Sequence, residues 1–259
     1  MKSKALILQA HGSNRDFDII EALVLAGAEA VGIPLNDLRM NKTLLSDFQL
    51  LVIPGGFSYA DALGAGKLLA LDLASYFADE IFAFVESGKP VLGICNGFQA
   101  LVKSGILPGG RLVGEDGATL TFNAQGHFEC SWVTLKPISK ICIWTKGLGE
   151  LIECPVAHGE GNFQTTDLLP LSSFMSNDQI ALTYTYVDGS PANGQYPINP
   201  NGSLLDIAGI CNLQGNVLGL MPHPENHIHS FQHPQWRRGT NHHSGLKLFE
   251  NGVKYASEM

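Results

Sequence analysis

Three short segments carry residue types that could do chemistry together. The first is Gly93-Ile94-Cys95-Asn96-Gly97, a G-x-C-x-G pattern between a short apolar run and a helical pattern. It is the nucleophile-elbow arrangement with cysteine in place of serine. Glycines on either side permit a sharp, strained turn that lifts the thiol above the strand end. A helix N-terminus just beyond favours the thiolate and offers backbone N–H groups to an oxyanion. The competing reading is a small buried residue in a tight strand-to-helix turn.

The second segment is His223-Pro224-Glu225, after the apolar run Val217 to Met221. Proline favours an extended His223, and residues two apart on an extended segment share a side. Glu225 would then fix the tautomer of His223, the base-plus-orienter logic of a triad. A surface turn with an idle His and Glu is the alternative. The third is Pro54-Gly55-Gly56-Phe57, after Leu50 to Ile53. Two glycines there let a backbone N–H turn inward as a second oxyanion donor, against an ordinary glycine turn as the alternative. All three follow strand-like runs, where α/β sheets build their sites.

Other cysteines and histidines carry less. Cys130, Cys142, Cys154 and Cys211 fall on apolar, strand-like stretches and read as buried inert thiols. With Cys95 they make five, an odd number without a CxxC, so neither a disulfide framework nor a structural zinc site is suggested. Six of nine histidines lie at 223, 227, 229, 233, 242 and 243, but their spacing matches no zinc pattern, so no metal is expected.

The elements that must position these groups follow from periodicity. Ala5–Leu8, Ala30–Pro34, Leu50–Ile53 and Pro90–Ile94 read as buried strands. Helical spacing separates them: Phe17 to Ala28 with a candidate N-cap at Gly12-Ser13-Asn14, one or two helices over 62–87, and Asn96 to Lys103. That alternation predicts an α/β fold, an open, mostly parallel sheet with helices on both faces. The second half predicts strands at Thr119–Phe122, Phe128–Leu135, Ile141–Trp144, Ile180–Tyr186, Asp206–Asn212 and Val217–Met221, a β-rich elaboration. Asp188–Ser203 reads as a long loop, and helical spacing returns over Leu246–Tyr255. No linker stands out, so residues 1–259 are expected to form a single domain.

Composition bounds the rest. A chain of 259 residues with 45% apolar and 15% charged residues can bury a full core without staples. No run approaches a membrane span, so no membrane partner is expected. A net charge of −8 argues against a task of gripping nucleic acid. The short apolar start lacks a signal-peptide pattern, and cytoplasmic residence is the expectation.

The three segments, with Pro155-Val156-Ala157-His158-Gly159-Glu160-Gly161-Asn162-Phe163 and the blocks 123–133, 199–203 and 245–249, resemble a known family nearly end to end. The chain is similar to the glutaminase subunits of phosphoribosylformylglycinamidine synthase, class I (triad-type) glutamine amidotransferases of flavodoxin-like fold. The resemblance implies that Cys95 is the nucleophile, His223 the base and Glu225 its orienter. It implies backbone oxyanion donors at Gly56 and Asn96, and glutamine contacts from Gly55, Phe57, Gln99, His158 and Gly159. Ammonia would pass to an ATP-dependent synthetase partner acting on formylglycinamide ribonucleotide, with a small third subunit in some complexes. This chain has no G-x-x-x-x-G-K-[ST] loop, so ATP and Mg are expected on the partner and no cofactor here.

Four positions depart from the family pattern. Ala60 stands where glycine is usual, and a positive φ there would cost about 1 kcal/mol. His127, Ser131 and Asn226 stand where arginine is usual, which bears on the docking surface rather than the triad. Two other functions compete: a flavodoxin-like cysteine hydrolase or deglycase, and a non-catalytic glutamine-binding subunit. The late His-Pro-Glu pair speaks against the first, and the intact Cys95, His223 and Glu225 against the second.

Overall fold

The computed structural model describes residues 2–109, 117–166, 169–239 and 244–259. Its first half follows the predicted alternation: β1 (Lys4–Gln9), α1 (Asp16–Leu25), β2 (Glu29–Pro34), α2 (Leu35–Met40), β3 (Leu50–Ile53), α3 (Lys67–Tyr76), α4 (Ala78–Glu86), β4 (Val91–Ile94) and α5 (Asn96–Lys103). The second half holds β5 (Ala118–Thr121), β6 (Glu129–Pro137), β7 (Ile152–His158), β8 (Asn162–Thr165), α6 (Leu171–Ser176), β9 (Ile180–Thr185), β10 (Ile207–Cys211), β11 (Val217–Leu220) and α7 (Leu246–Ser257).

Nine strands form one sheet in the order β2-β1-β3-β4-β11-β10-β9-β6-β7, while β5 and β8 pair as a separate ribbon. The strands from β2 through β11 are mutually parallel, and the extension β10-β9-β6-β7 is antiparallel. Every residue of β3, β4, β10 and β11 is buried. That explains why these strands read as unbroken apolar runs, since both faces of the sheet are covered.

From β1 the chain steps outward to β2 and then back across to β3. Right-handed crossovers therefore put α1 on one face and α3 to α5 on the other. α1 packs with α7, and α3 with α5. The reversal between β1 and β3 is the switch point where such sheets open a crevice at their carboxyl ends. Four adjacent strands, β1, β3, β4 and β11, end there.

The second half departs from expectation: the sequence predicts none of β7, β8 and α6, and two further readings change. Ile141–Trp144 is not a strand but an irregular turn that buries Cys142 and Trp144. Trp144 instead fills the space over Gly252 of α7, where a Cβ would lie 2.1 Å from the ring. β7 carries Pro155 at its centre, which an edge strand tolerates because its outer N–H positions need no ladder partner. Cys130 is exposed on β6, whereas Cys142, Cys154 and Cys211 are buried as expected, and all are free thiols. No described helix is long and apolar enough to cross a membrane.

Candidate active site

Cys95 sits between β4 and α5 at φ 51°, ψ −105°. A non-glycine residue held there stores about 1–3 kcal/mol of strain and persists only where its surroundings enforce it. The flanking glycines show how. A Cβ on Gly97 would lie 2.0 Å from the Ile53 carbonyl oxygen, and one on Gly93 2.5 Å from Leu101 Cδ1. α5 therefore lies directly against the ends of β3 and β4, forcing the turn. The Cys95 N–H donates to Leu220 O at 2.8 Å, which ties the elbow to β11. Its Sγ lies 3.7 Å from the Ala157 carbonyl oxygen on β7.

His223 arrives just past β11, its N–H donating to Pro155 O at 2.8 Å. Its Nδ1–H donates to Glu225 Oε1 at 2.6 Å. The backbone route differs from the extended one predicted. Residues Pro224–His227 form a 3-10 turn, and Glu225 folds back to the ring rather than sharing a strand face. Both side chains are buried. Burial opposes charge on the ring, but the Glu225 carboxylate and then the nearby Cys95 outweigh it; the imidazole is pushed up to about 10. Glu225 Oε2 is buried without a hydrogen-bond partner among the described residues. Among the described residues, His223 is thus the hydrogen-bond partner of this carboxylate.

Gly55 closes this cluster. A Cβ there would lie 2.8 Å from His223 Cε1 and 3.4 Å from Cys95 Cβ, so only glycine fits between ring and elbow. Gly56 follows at φ 136°. The Asn96 side chain reaches across to accept the Ser58 N–H at 3.1 Å and donates to Asp61 Oδ1 at 3.0 Å. Phe57 is half-exposed and stacks on Phe128, their centroids 6.5 Å apart. Ala60 does adopt φ 55°, inside a left-handed run from Tyr59 at 54° to Asp61 at 52°. The strain expected of an alanine there is present.

The remaining expected glutamine contacts are more internal. Gln99 is buried, its Nε2 donating to Glu160 O at 2.6 Å and its Oε1 accepting from Asn96. It thereby pins the segment after β7 onto α5, helped by Glu160, which accepts from Ala65 N–H and pairs with Lys103 at 3.3 Å. His158 ends β7 fully enclosed, and Gly159 O accepts the Asn123 N–H at 2.9 Å. The Asn123 amide fixes the tautomer of His158. Its Nδ2 donates to the carbonyls of His127 and His158, so its Oδ1 must face Gly161 N–H at 3.0 Å and His158 Nδ1–H at 3.1 Å. Burial, then the charge of His223, lowers the His158 ring to about 4. Asn123 and Glu160 lie in the blocks that carry the resemblance but were given no role there, and no motif pointed to Lys103; their contacts reveal them.

Of the other departures, Asn226 donates to Asp18 on α1 at 3.2 Å and His127 lies 2.9 Å from Glu129. Nothing in the structure explains the choice of serine at 131. His227 and His233 pack edge-on to Trp132, while His242 and His243 lie outside the described residues.

Residues 2–256 match the family described as CobB/CobQ-like glutamine amidotransferase domain. The chain belongs to this amidotransferase family. The amidotransferase is 57% identical over 241 residues to the phosphoribosylformylglycinamidine synthase subunit PurQ of Treponema denticola, spanning 88% of this chain and 89% of that one. It is 43% identical to PurQ of Dehalococcoides mccartyi over 100% of this chain and 99% of that one. A chain of the PurLQS structure from Thermotoga maritima superposes with a TM-score of 0.73 at 34% identity, over 98% of this chain and 99% of that one. A more distant glutamine amidotransferase from the same organism, at 15% identity and TM-score 0.58, shares the fold.

Proposed function

We propose that this amidotransferase is the glutamine-hydrolysing subunit of a phosphoribosylformylglycinamidine synthase, with Cys95, His223 and Glu225 as its triad. The observation that carries the assignment of residues is the 2.6 Å pairing of Glu225 with His223, whose ring lies with Cys95 on either side of Gly55. The proton shared between Cys95 and His223 rests on the ring as sulfur attacks the carboxamide carbon of glutamine. The oxyanion accepts from the Gly56 and Asn96 N–H groups, which act only as negative charge develops. When the C–N bond breaks, His223 returns a proton to the nitrogen and ammonia leaves. Water, deprotonated by the same ring, hydrolyses the thioester to glutamate. Glu225 keeps the ring in the tautomer with Nδ1–H throughout.

Gly55, Phe57, Gln99, His158 and Gly159 line or brace the place where glutamine binds. Ammonia passes to a synthetase partner that holds ATP and Mg, joined in some assemblies by a small third subunit. The complex works in the cytoplasm. The test is glutamate release from glutamine by the purified chain, with and without its synthetase, ATP and formylglycinamide ribonucleotide, with Cys95→Ala as control. Release that depends on Cys95 and rises with the synthetase supports the reading. No release in any arm, with folded protein and a competent partner, refutes it in favour of a binding subunit or another hydrolase.

A further inference from the structure

Gly12-Ser13-Asn14 reads in the sequence as a helix cap, yet it caps nothing. α1 begins at Asp16 with Arg15 at the cap position and no side-chain cap bond. The turn faces Gly55-Gly56-Phe57 instead. Phe57 N–H donates to Gly12 O at 3.0 Å, Tyr59 N–H to His11 O at 2.7 Å, and Asn14 N–H to Gly55 O at 3.4 Å. The first and third of these flank an isolated antiparallel bridge between Ser13 and Gly56. Bonds on both sides of a bridged pair leave the central residues' own N–H groups pointing away from the partner. The Gly56 N–H therefore points away from the turn. The adjoining Gly55 already lies against His223 and Cys95.

Sterics lock the same arrangement. Gly12 has φ 92°, and a Cβ on it would lie 2.1 Å from the Phe57 carbonyl oxygen. A Cβ on Gly56 would lie 2.7 Å from Gly12 O and 2.8 Å from Asn14 N. Gly12 is required by the Phe57 backbone, and Gly56 by the backbone of Gly12–Asn14. The turn is itself braced by Ser13 N–H to Ala10 O and Ala10 N–H to Ser13 Oγ, both at 3.1 Å. On its far side the loop is held by Ser58 N–H to Asn96 Oδ1.

We propose that the His11–Asn14 turn, with Gly12 at its centre, is the positioning element of the oxyanion hole: it sets the orientation of the Gly56 N–H relative to the Asn96 N–H. The inference rests on the functional reading above, in which those two groups receive the oxyanion. A donor used only as charge develops affects kcat rather than ground-state binding. Loss of one such donor costs on the order of 100- to 1000-fold, and a partial misalignment costs less.

The experiment compares three readouts in Gly12→Ala and wild type, with the synthetase present. These are steady-state glutamine hydrolysis, inhibition by glutamate γ-semialdehyde, and alkylation of Cys95 by iodoacetamide. The aldehyde adds to the thiol and forms an oxyanion, whereas alkylation forms none. Gly12→Ala is expected to lower kcat about 10- to 100-fold. KM should stay within about 3-fold, semialdehyde affinity should fall in step with kcat, and alkylation should stay within about 3-fold. An unchanged kcat in a folded variant overturns the proposal, and so does alkylation that falls in step with kcat. If Gly12→Ala does not fold, Ser13→Ala decides. It loosens the turn without a clash, and about a 3-fold loss in kcat and semialdehyde affinity with unchanged alkylation supports the proposal. Ser13→Ala with unchanged kcat overturns it. A wild-type chain that shows no Cys95-dependent hydrolysis defeats the functional reading itself, before any variant of the turn is made.

Discussion

Replacing Glu225 by glutamine isolates what the buried carboxylate does. Glu225 is fully buried and meets His223 Nδ1 at 2.6 Å. Glutamine keeps the shape, and its Oε1 can still accept from Nδ1–H. Its amide nitrogen then falls where Oε2 already lacks a partner. What is lost is charge. An imidazolium and a carboxylate with charge centres about 4 Å apart, at the effective dielectric of such sites, attract by about 4 kcal/mol. The retained neutral hydrogen bond returns about 1 kcal/mol of that. A deficit of about 3 kcal/mol, felt whenever His223 carries its proton, slows hydrolysis on the order of 100-fold. Glu225 lies behind the ring and touches no substrate, so KM should stay within about 3-fold. The assay is glutamate release across a glutamine series, paired with titration of His223 by its ring ¹³C shift. The same deficit should move that titration down by about 2 pH units. A Glu225→Gln enzyme within about 3-fold of wild-type kcat, with His223 titrating unchanged, would refute the argument that the carboxylate acts through charge.

Ala60→Gly relieves a φ of 55° and should stabilise the chain by about 1 kcal/mol, raising Tm by about 2–4 °C in calorimetry. A fall in Tm would show that the left-handed run is not strained. Stability should also peak near the ordinary histidine range, because two buried rings are shifted oppositely. His223, held up to about 10, contributes stability that is full below its unfolded value of 6.5 and is lost as pH rises from there toward 10. His158, lowered to about 4, contributes stability that is full above 6.5 and is lost as pH falls from there toward 4. His158→Asn should flatten the acid limb of a Tm-against-pH curve and leave the alkaline limb in place. An acid limb of unchanged slope would contradict this. Gly55→Ala, whose new methyl would press on His223 Cε1 from 2.8 Å, should lower kcat by at least about 100-fold in a folded protein, read by the same glutamate assay.

Much of the site was legible because its logic is local. The elbow, the His-Pro-Glu pair and the Gly-Gly turn each carry their signature within a few residues. The parallel strands announced themselves as apolar runs because both faces are covered. What stayed hidden depends on partners distant in sequence. β7 was obscured by Pro155, which reads as a strand breaker until one knows the strand is at an edge. Ile141–Trp144 looked like a strand because burial, not pairing, selects its residues. Cys130 lies on a strand whose alternation turns it outward. Gly12-Ser13-Asn14 looked like a helix cap because its true partner is more than 40 positions away. Glu225 reached His223 as predicted, but by a tight turn rather than an extended backbone.

The far border of the sheet has a consequence for the fate of damaged molecules. β7 is a terminal strand, and its outward carbonyls at 153, 155 and 157 accept from His227, His223 N–H and the Cys95 thiol instead of a tenth strand. An uncovered border of this kind is a template for pairing with another chain. The segment proposed to carry the chemistry is therefore also the guard that keeps this border from recruiting its neighbours. A lesion that dislodges residues 223–227 would leave more than an inactive enzyme: it would leave an aggregation seed. The residues proposed for turnover and the residues that close this border are thus the same few.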